Sequence, residues 1–313
     1  MSGYRYLKPL DFINTIVRAY FKIFFSSPAT LFSLAILIIY IGAGIAVVIG
    51  IVPPLPPARG GWQYIYAPPS LNDFPWYLLG TDFSGRPLLL AIVRGIPSTL
   101  LIAFLAAVIT VAVGTLIGLV AGYVGRWVDQ ALSFITNVAL TIPTYLLALI
   151  LVVILPVELK TNPFILAGVL SLTAWASLAR SVRAVVLSLR RREFIDVAKT
   201  LGFSTRKIIF DEILRFLAPY IAMNLVLGIS WAIYGYTGLA FLGIMPMSSD
   251  NWGVQIYQAI RAGGALYSDK AILALWSPIV TIVLLMFALI NIARAMEEIF
   301  NPALRVKVIE EGA

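Results

Sequence analysis

The chain has 313 residues, of which 60% are hydrophobic and only 12% charged, with a formal net charge of +8 and a mean hydropathy of +0.94. A soluble domain carries about 25% charged residues, so this chain has too little polar surface to cover a globule in water. It has no cysteine and no histidine, which excludes disulfide frameworks, thiolate and imidazole metal sites, cysteine nucleophiles and the commonest general base near neutral pH.

Residues 11–25 set Phe12, Ile13, Ile16, Val17, Tyr20, Phe21 and Phe24 against Arg18 and Lys22. That pattern predicts an amphipathic helix lying on a bilayer surface. Polar interruptions and the lack of a small-residue cleavage site argue against a cleavable signal peptide. A first apolar run follows at 31–52, closed by Pro53 and Pro54. Crossing roughly 30 Å of hydrocarbon at 1.5 Å per residue takes about 20 apolar residues. Five further runs meet this length, at 96–124, 131–157, 164–189, 217–244 and 271–293. None alternates with period two, as a β-barrel would require. The expected fold is all-α, with six transmembrane helices in residues 31–303 preceded by an interfacial helix in residues 1–30.

The loops between the runs are patterned. In the segment 53–95, Gly80, Thr81, Asp82, Gly85 and Arg86 form a glycine-bounded turn whose carboxylate is placed to pair with Arg86. Residues 88–94 are expected to make a short helix along the outer face. Within the second run Gly114, Gly118 and Gly122 recur every four residues, a smooth stripe for close helix contact either within this chain or against a partner. The segment 190–219 reads as a helix from Glu193, ended by Gly202, and a second helix at 205–214 capped by Ser204. It carries Phe194, Asp196, Ala198, Leu201, Phe203, Ile208, Ile209 and Phe210. Apolar residues exposed on a polar loop need a surface to bury them, so this loop is read as a docking site for a partner protein. In the segment 241–253, Trp252 reads as an interfacial aromatic. After Pro302 the tail at 304–313 is too short and too charged to be a domain.

Lys and Arg fix the expected orientation. With the N-terminus in the cytoplasm, 17 of the 23 fall on the cytoplasmic side, nine of them in 180–215. Only Arg59, Arg86, Arg94, Lys160, Arg261 and Lys270 lie outside. Both termini are therefore expected in the cytoplasm of a multi-pass protein of the cell membrane. The basic loop between two spans is read as a topology signal, and no nucleic acid is expected to bind it.

Taken in order, these motifs resemble those of the C-type permease subunit of oligopeptide and dipeptide ABC importers. Gly80, Thr81 and Asp82 with Gly85 and Arg86 are similar to that family's external GTD..GR signature. Gly122, Tyr123, Gly125, Trp127 and Asp129 resemble its GY.GGW.D turn, followed by Ile142 and Pro143. Arg180 and Arg183 stand where the family has its R.VR pair, and Phe241, Leu242, Gly243, Trp252 and Gly253 resemble its FLG…WG region. Trp276, Pro278, Asn301 and Pro302 fall at its closing positions. The loop at 190–219 resembles the EAA motif, mapping onto Asp196, Val197, Ala198 and Gly202. It departs from the motif at Val197 and at Leu214 and Arg215, where the family usually has Leu-Pro.

The resemblance implies a type I ABC importer permease fold and a pore-forming, non-enzymatic role. The implied partners are a second homologous permease subunit, two cytoplasmic ATPase subunits that bind ATP and Mg, and an extracellular solute-binding protein. It also implies that 190–219 is the ATPase-coupling loop and that residues 80–86 are an external structural motif. No Gly-x-x-x-x-Gly-Lys-Ser/Thr loop occurs, so no cofactor is expected on this chain itself. The implied solute is an oligopeptide or dipeptide, with an oligosaccharide as the alternative. A self-contained secondary transporter would place ionisable residues within its spans, and only the arginines near the inner end of the fourth run occur there.

Overall fold

The computed structural model describes residues 27–300, apart from 60, 62, 72–73, 248–249 and 262–263. The expected interfacial helix at 11–25, the residues Asn301 and Pro302, and the tail at 304–313 lie outside the described residues. In hydrocarbon each backbone polar group must find its partner within the protein, and the described regular elements are accordingly helical. In chain order they are α1 (Pro28–Val48), α2 (Leu88–Val124), α3 (Arg126–Thr141), α4 (Thr144–Ile154), α5 (Pro163–Ser171), α6 (Trp175–Leu189), α7 (Glu193–Thr200), α8 (Thr205–Phe241), α9 (Trp252–Arg261) and α10 (Ile272–Phe300).

The six apolar runs are realised in two ways. Helices α1, α2, α8 and α10 are each long and apolar enough to cross a membrane unbroken. The third and fourth runs are each a bent helix pair that is together long and apolar enough for one broken span, α3 with α4 bent by 72° and α5 with α6 bent by 55°. The first break follows from Pro143, which drives the residue before it out of the helical region. Ile142 is extended, at φ −87 and ψ 119. The second break, at 172–174, contains neither proline nor glycine. The two breaks meet, because the Thr173 hydroxyl donates to Thr144 Oγ1 at 2.9 Å.

Helix α2 is the central post, packing most extensively on α6 and α8 and then on α5 and α1. The glycine stripe explains its closeness to α6. A β-carbon at Gly114 would stand 2.8 Å from the Trp175 carbonyl oxygen, one at Gly118 2.6 Å from Val182 Cβ, and one at Gly122 2.7 Å from Val186 Cβ. The stripe is therefore used inside this chain.

Three expectations are corrected here. Residues 88–94 are not a separate helix but the first two turns of α2, where Arg94 donates to the Pro53 carbonyl and pairs with Asp250 at 3.4 Å. The expected second helix of the basic loop does not end at 214. It runs into the fifth span as one helix, with a π turn at Ile208–Ile213. It runs on through Pro219, which lies inside the helix. Trp252 is not an interfacial aromatic. It is fully buried, its indole N–H donates to the Ile92 carbonyl at 2.9 Å, and its ring meets Tyr40 edge-on at 6.1 Å.

Candidate functional site

The loop from Arg190 to Ser204 joins two spans and is short, so its geometry is set by its caps. Arg192 is extended (φ −83, ψ 145) and starts α7. The helix ends in a Schellman turn, with Gly202 N–H donating to the Lys199 carbonyl at 2.9 Å and Phe203 N–H to the Ala198 carbonyl at 3.1 Å. Gly202 has φ +77, the left-handed region in which a β-carbon is strained, although a β-carbon there would meet nothing within 4 Å. Backbone conformation, not space, demands glycine. Ser204 Oγ then accepts from Lys207 N–H at 3.3 Å and starts α8.

Helix α7 has a buried face and a free one. Ile195 and Ala198 point inward and join Ile208, Ile209, Ile213 and Leu217 in a cluster with Val182 and Val186 of α6. Ala198 is buried in this cluster with the base of α8. The opposite face leaves Val197 57% and Leu201 66% exposed. These apolar side chains are flanked by the exposed pair Asp196 and Lys199, at 2.9 Å, and by exposed Glu193. Phe210 is exposed on α8. Half-buried Phe194 stacks on Phe216 at 4.9 Å, and the Lys207 ammonium sits 3.9 Å over the half-buried Phe203 ring. The structure thus divides the expected docking residues. Glu193, Asp196, Leu201, Gly202, Ser204 and Phe210 face solvent, Phe194 and Phe203 are shared, and Ala198, Ile208 and Ile209 are scaffold. Val197, which the sequence marked only as a departure from the motif, and Phe216, which it did not single out, are exposed as well.

Helix α7 is joined to the bundle through α6. Three residues separate α7 from α6, and α6 is tied to α3 by two polar links. Arg183 makes a two-pronged ion pair with Asp129, with Nη2 to Oδ2 at 2.7 Å. Arg180 donates to Asn137 Oδ1 at 2.8 Å, and Ser133 also donates to Asp129. Sequence reasoning named Asp129 and Arg183 in separate motifs without joining them. The available signal was their opposite charge at the same end of neighbouring apolar runs.

At the opposite end of the bundle, Asp82 spends its carboxylate locally. Oδ1 accepts from Ser84 N–H at 2.7 Å and Arg86 N–H at 2.9 Å, while Oδ2 accepts from Arg86 Nε at 3.1 Å. Thr81 Oγ1 donates to the Tyr64 carbonyl and accepts from Ala67 N–H. A β-carbon on Gly80 would lie 2.3 Å from the Ala67 oxygen, and one on Gly85 2.9 Å from Tyr64 Cβ. The turn closes residues 64–67 over the start of α2. Among the described residues, no three acidic side chains come close enough to hold a metal ion.

Residues 114–306 match the family model described as binding-protein-dependent transport system inner membrane component. The chain is 34% identical over 167 residues to the oligopeptide transport system permease protein OppC of Mycobacterium tuberculosis, covering 53% of this chain and 56% of that one. It is 38% identical over 182 residues to the dipeptide transport system permease protein DppC of Alkalihalophilus pseudofirmus, covering 57% of each. The chain thus spans a little over half the length of these relatives. To the OppC of Haemophilus influenzae it is 29% identical over 244 residues, covering 77% of this chain and 74% of that one.

Proposed function

Because the chain belongs to the family of binding-protein-dependent transport system inner membrane components, a multi-pass membrane family, we propose that it is a permease subunit of an ATP-driven importer of oligopeptides or dipeptides. It forms half of the pathway with a second, similar permease. Its basic loops and both termini are assigned to the cytoplasm, and residues 53–95 face outward toward a solute-binding protein. Residues 31–303 are the permease domain and 190–219 its coupling segment, with the interfacial helix and the tail flanking them. ATP and Mg are held by two separate ATPase subunits.

The observation that carries this reading is the two-faced helix α7. Ile195 and Ala198 anchor it to α6 and α8, while Val197 and Leu201 remain exposed at its far side. Exposed apolar side chains on a rigidly seated helix are what a partner's groove buries. The Asp129–Arg183 pair then passes a push on α7 through α6 to α3.

The test is reconstitution in proteoliposomes with a second permease, two ATPases and a binding protein from the same source. Peptide uptake is expected to require enclosed ATP and both ATPases. Uptake by this chain without ATPases, driven by an ion gradient, overturns the reading.

A further inference from the structure

The proposed function leaves open what the solute touches. A cavity of about 580 Å³ lies where the two broken spans meet α8. Both breaks open into it, through Ile142 and Thr144 of the first and Thr173 and Ala174 of the second. Non-helical backbone at membrane depth is tolerated where it is buried in protein or lines a polar cavity, and interrupted helices commonly place solute sites. The volume falls in the range of roughly 300–1,000 Å³ that ligand sites occupy.

The lining has a distinctive chemistry. It contains no Asp, Glu, Lys or Arg. Its polar groups are neutral, among them Thr144, Thr173, Ser177 and Asn224, with Tyr145 and Tyr234 presenting phenols. Asn224 donates one N–H to the Tyr220 carbonyl at 2.8 Å, and its Oδ1 has no partner among the described residues. Ser177 reaches only the Ala174 carbonyl, at 3.4 Å. The nearest cation on α6, Arg180, is engaged by Asn137. An acidic and a basic side chain alike meet neither a counter-charge nor a like charge on this wall, so the lining has no electrostatic preference between them. Main-chain amides, by contrast, bring donors and acceptors that match hydroxyl and carboxamide partners.

Resting on the importer reading above, we propose that this cavity is a solute-contact site that takes the main-chain amides of a short peptide and is indifferent to the charge of its side chains. Neutrality of the wall is then the property that lets one pathway pass acidic, neutral and basic peptides.

The experiment uses the complete reconstituted transporter and three tripeptides of equal length whose middle residue is Glu, Gln or Lys. Unmodified transporter is expected to take up all three within about threefold of one another. Ser177→Asp is expected to cut uptake of the Glu peptide at least tenfold relative to the Lys peptide, and Ser177→Lys to do the reverse. Asn224→Leu is expected to lower all three alike. Should the charged variants fail to assemble, Ser177→Cys is assembled first and then labelled with an anionic or cationic thiol reagent. The chain has no other cysteine, so a label on this subunit is confined to that site. Equal effects of both charges on all three peptides, in assembled transporter, overturn the cavity assignment alone. An unmodified transporter that moves none of the three peptides overturns the functional reading itself.

Discussion

The turn at 80–86 and the loop at 190–204 are built from similar parts, a carboxylate beside a positive-φ glycine and a basic residue, yet they are opposite in what they leave unused. At the first, Asp82 accepts three hydrogen bonds from its own turn, and Gly80 and Gly85 lie against neighbouring chain that a β-carbon would strike. At the second, Asp196 and Lys199 are exposed, Gly202 borders open space, and Val197 and Leu201 stand clear of the protein. A motif whose polar groups are satisfied within itself is scaffold. One that fixes its backbone while leaving Val197 and Leu201 uncovered presents an apolar surface, which the proposed function assigns to another molecule.

The comparison can be broken by mutation. The largest loss of stability is expected from Gly80→Ala, where a mirror-image backbone conformation, worth about 1–3 kcal/mol, combines with a contact of 2.3 Å to the Ala67 oxygen. Recovery of folded protein in detergent should fall several-fold, and a normal yield would show that the outer turn is plastic. Next comes Asp129→Asn, which leaves Arg183 partly buried without its carboxylate. A loss of about 1–3 kcal/mol is expected from removing a charged partner, read as a lower melting temperature. In a double-mutant cycle with Arg183→Gln the losses should not add; simple additivity would mean that α3 and α6 are not coupled through this pair. Gly202→Val should cost about 1–2 kcal/mol of left-handed strain, confined to the α7 turn. It should leave assembly with the second permease intact while ATP-driven uptake drops sharply. The smallest change in stability, within about 0.5 kcal/mol, is expected for Leu201→Asp. Its effect on ATPase recruitment should nevertheless be as large as that of Gly202→Val, which separates surface from scaffold.

Much of this was legible in the sequence for a physical reason. Hydropathy marks material that must leave water, so the six apolar runs foretold the four unbroken apolar helices and the two bent pairs, and Gly202 and Ser204 marked the end of one helix and the start of the next. Local patterns do not carry long-range pairing, which is why Asp129 and Arg183, 54 residues apart, and Trp252 with Ile92, 160 apart, were read singly. The break at Pro143 had a visible cause, whereas the break at 172–174 consists of residues that suit a helix. An apolar average cannot distinguish a straight span from a bent one. The division of α7 into anchored and free faces also needed the structure, because Ile208 and Ile209 look as available in sequence as Leu201 does.

The central claim is that the free face of α7 meets an ATPase. A photo-crosslinking residue at Leu201 in the complete transporter, with the same probe at Arg86 as the counterpart, tests it most directly. The account predicts that position 201 captures an ATPase subunit and that position 86 does not. Capture of the solute-binding protein at position 201, or of the ATPase at position 86, would contradict it.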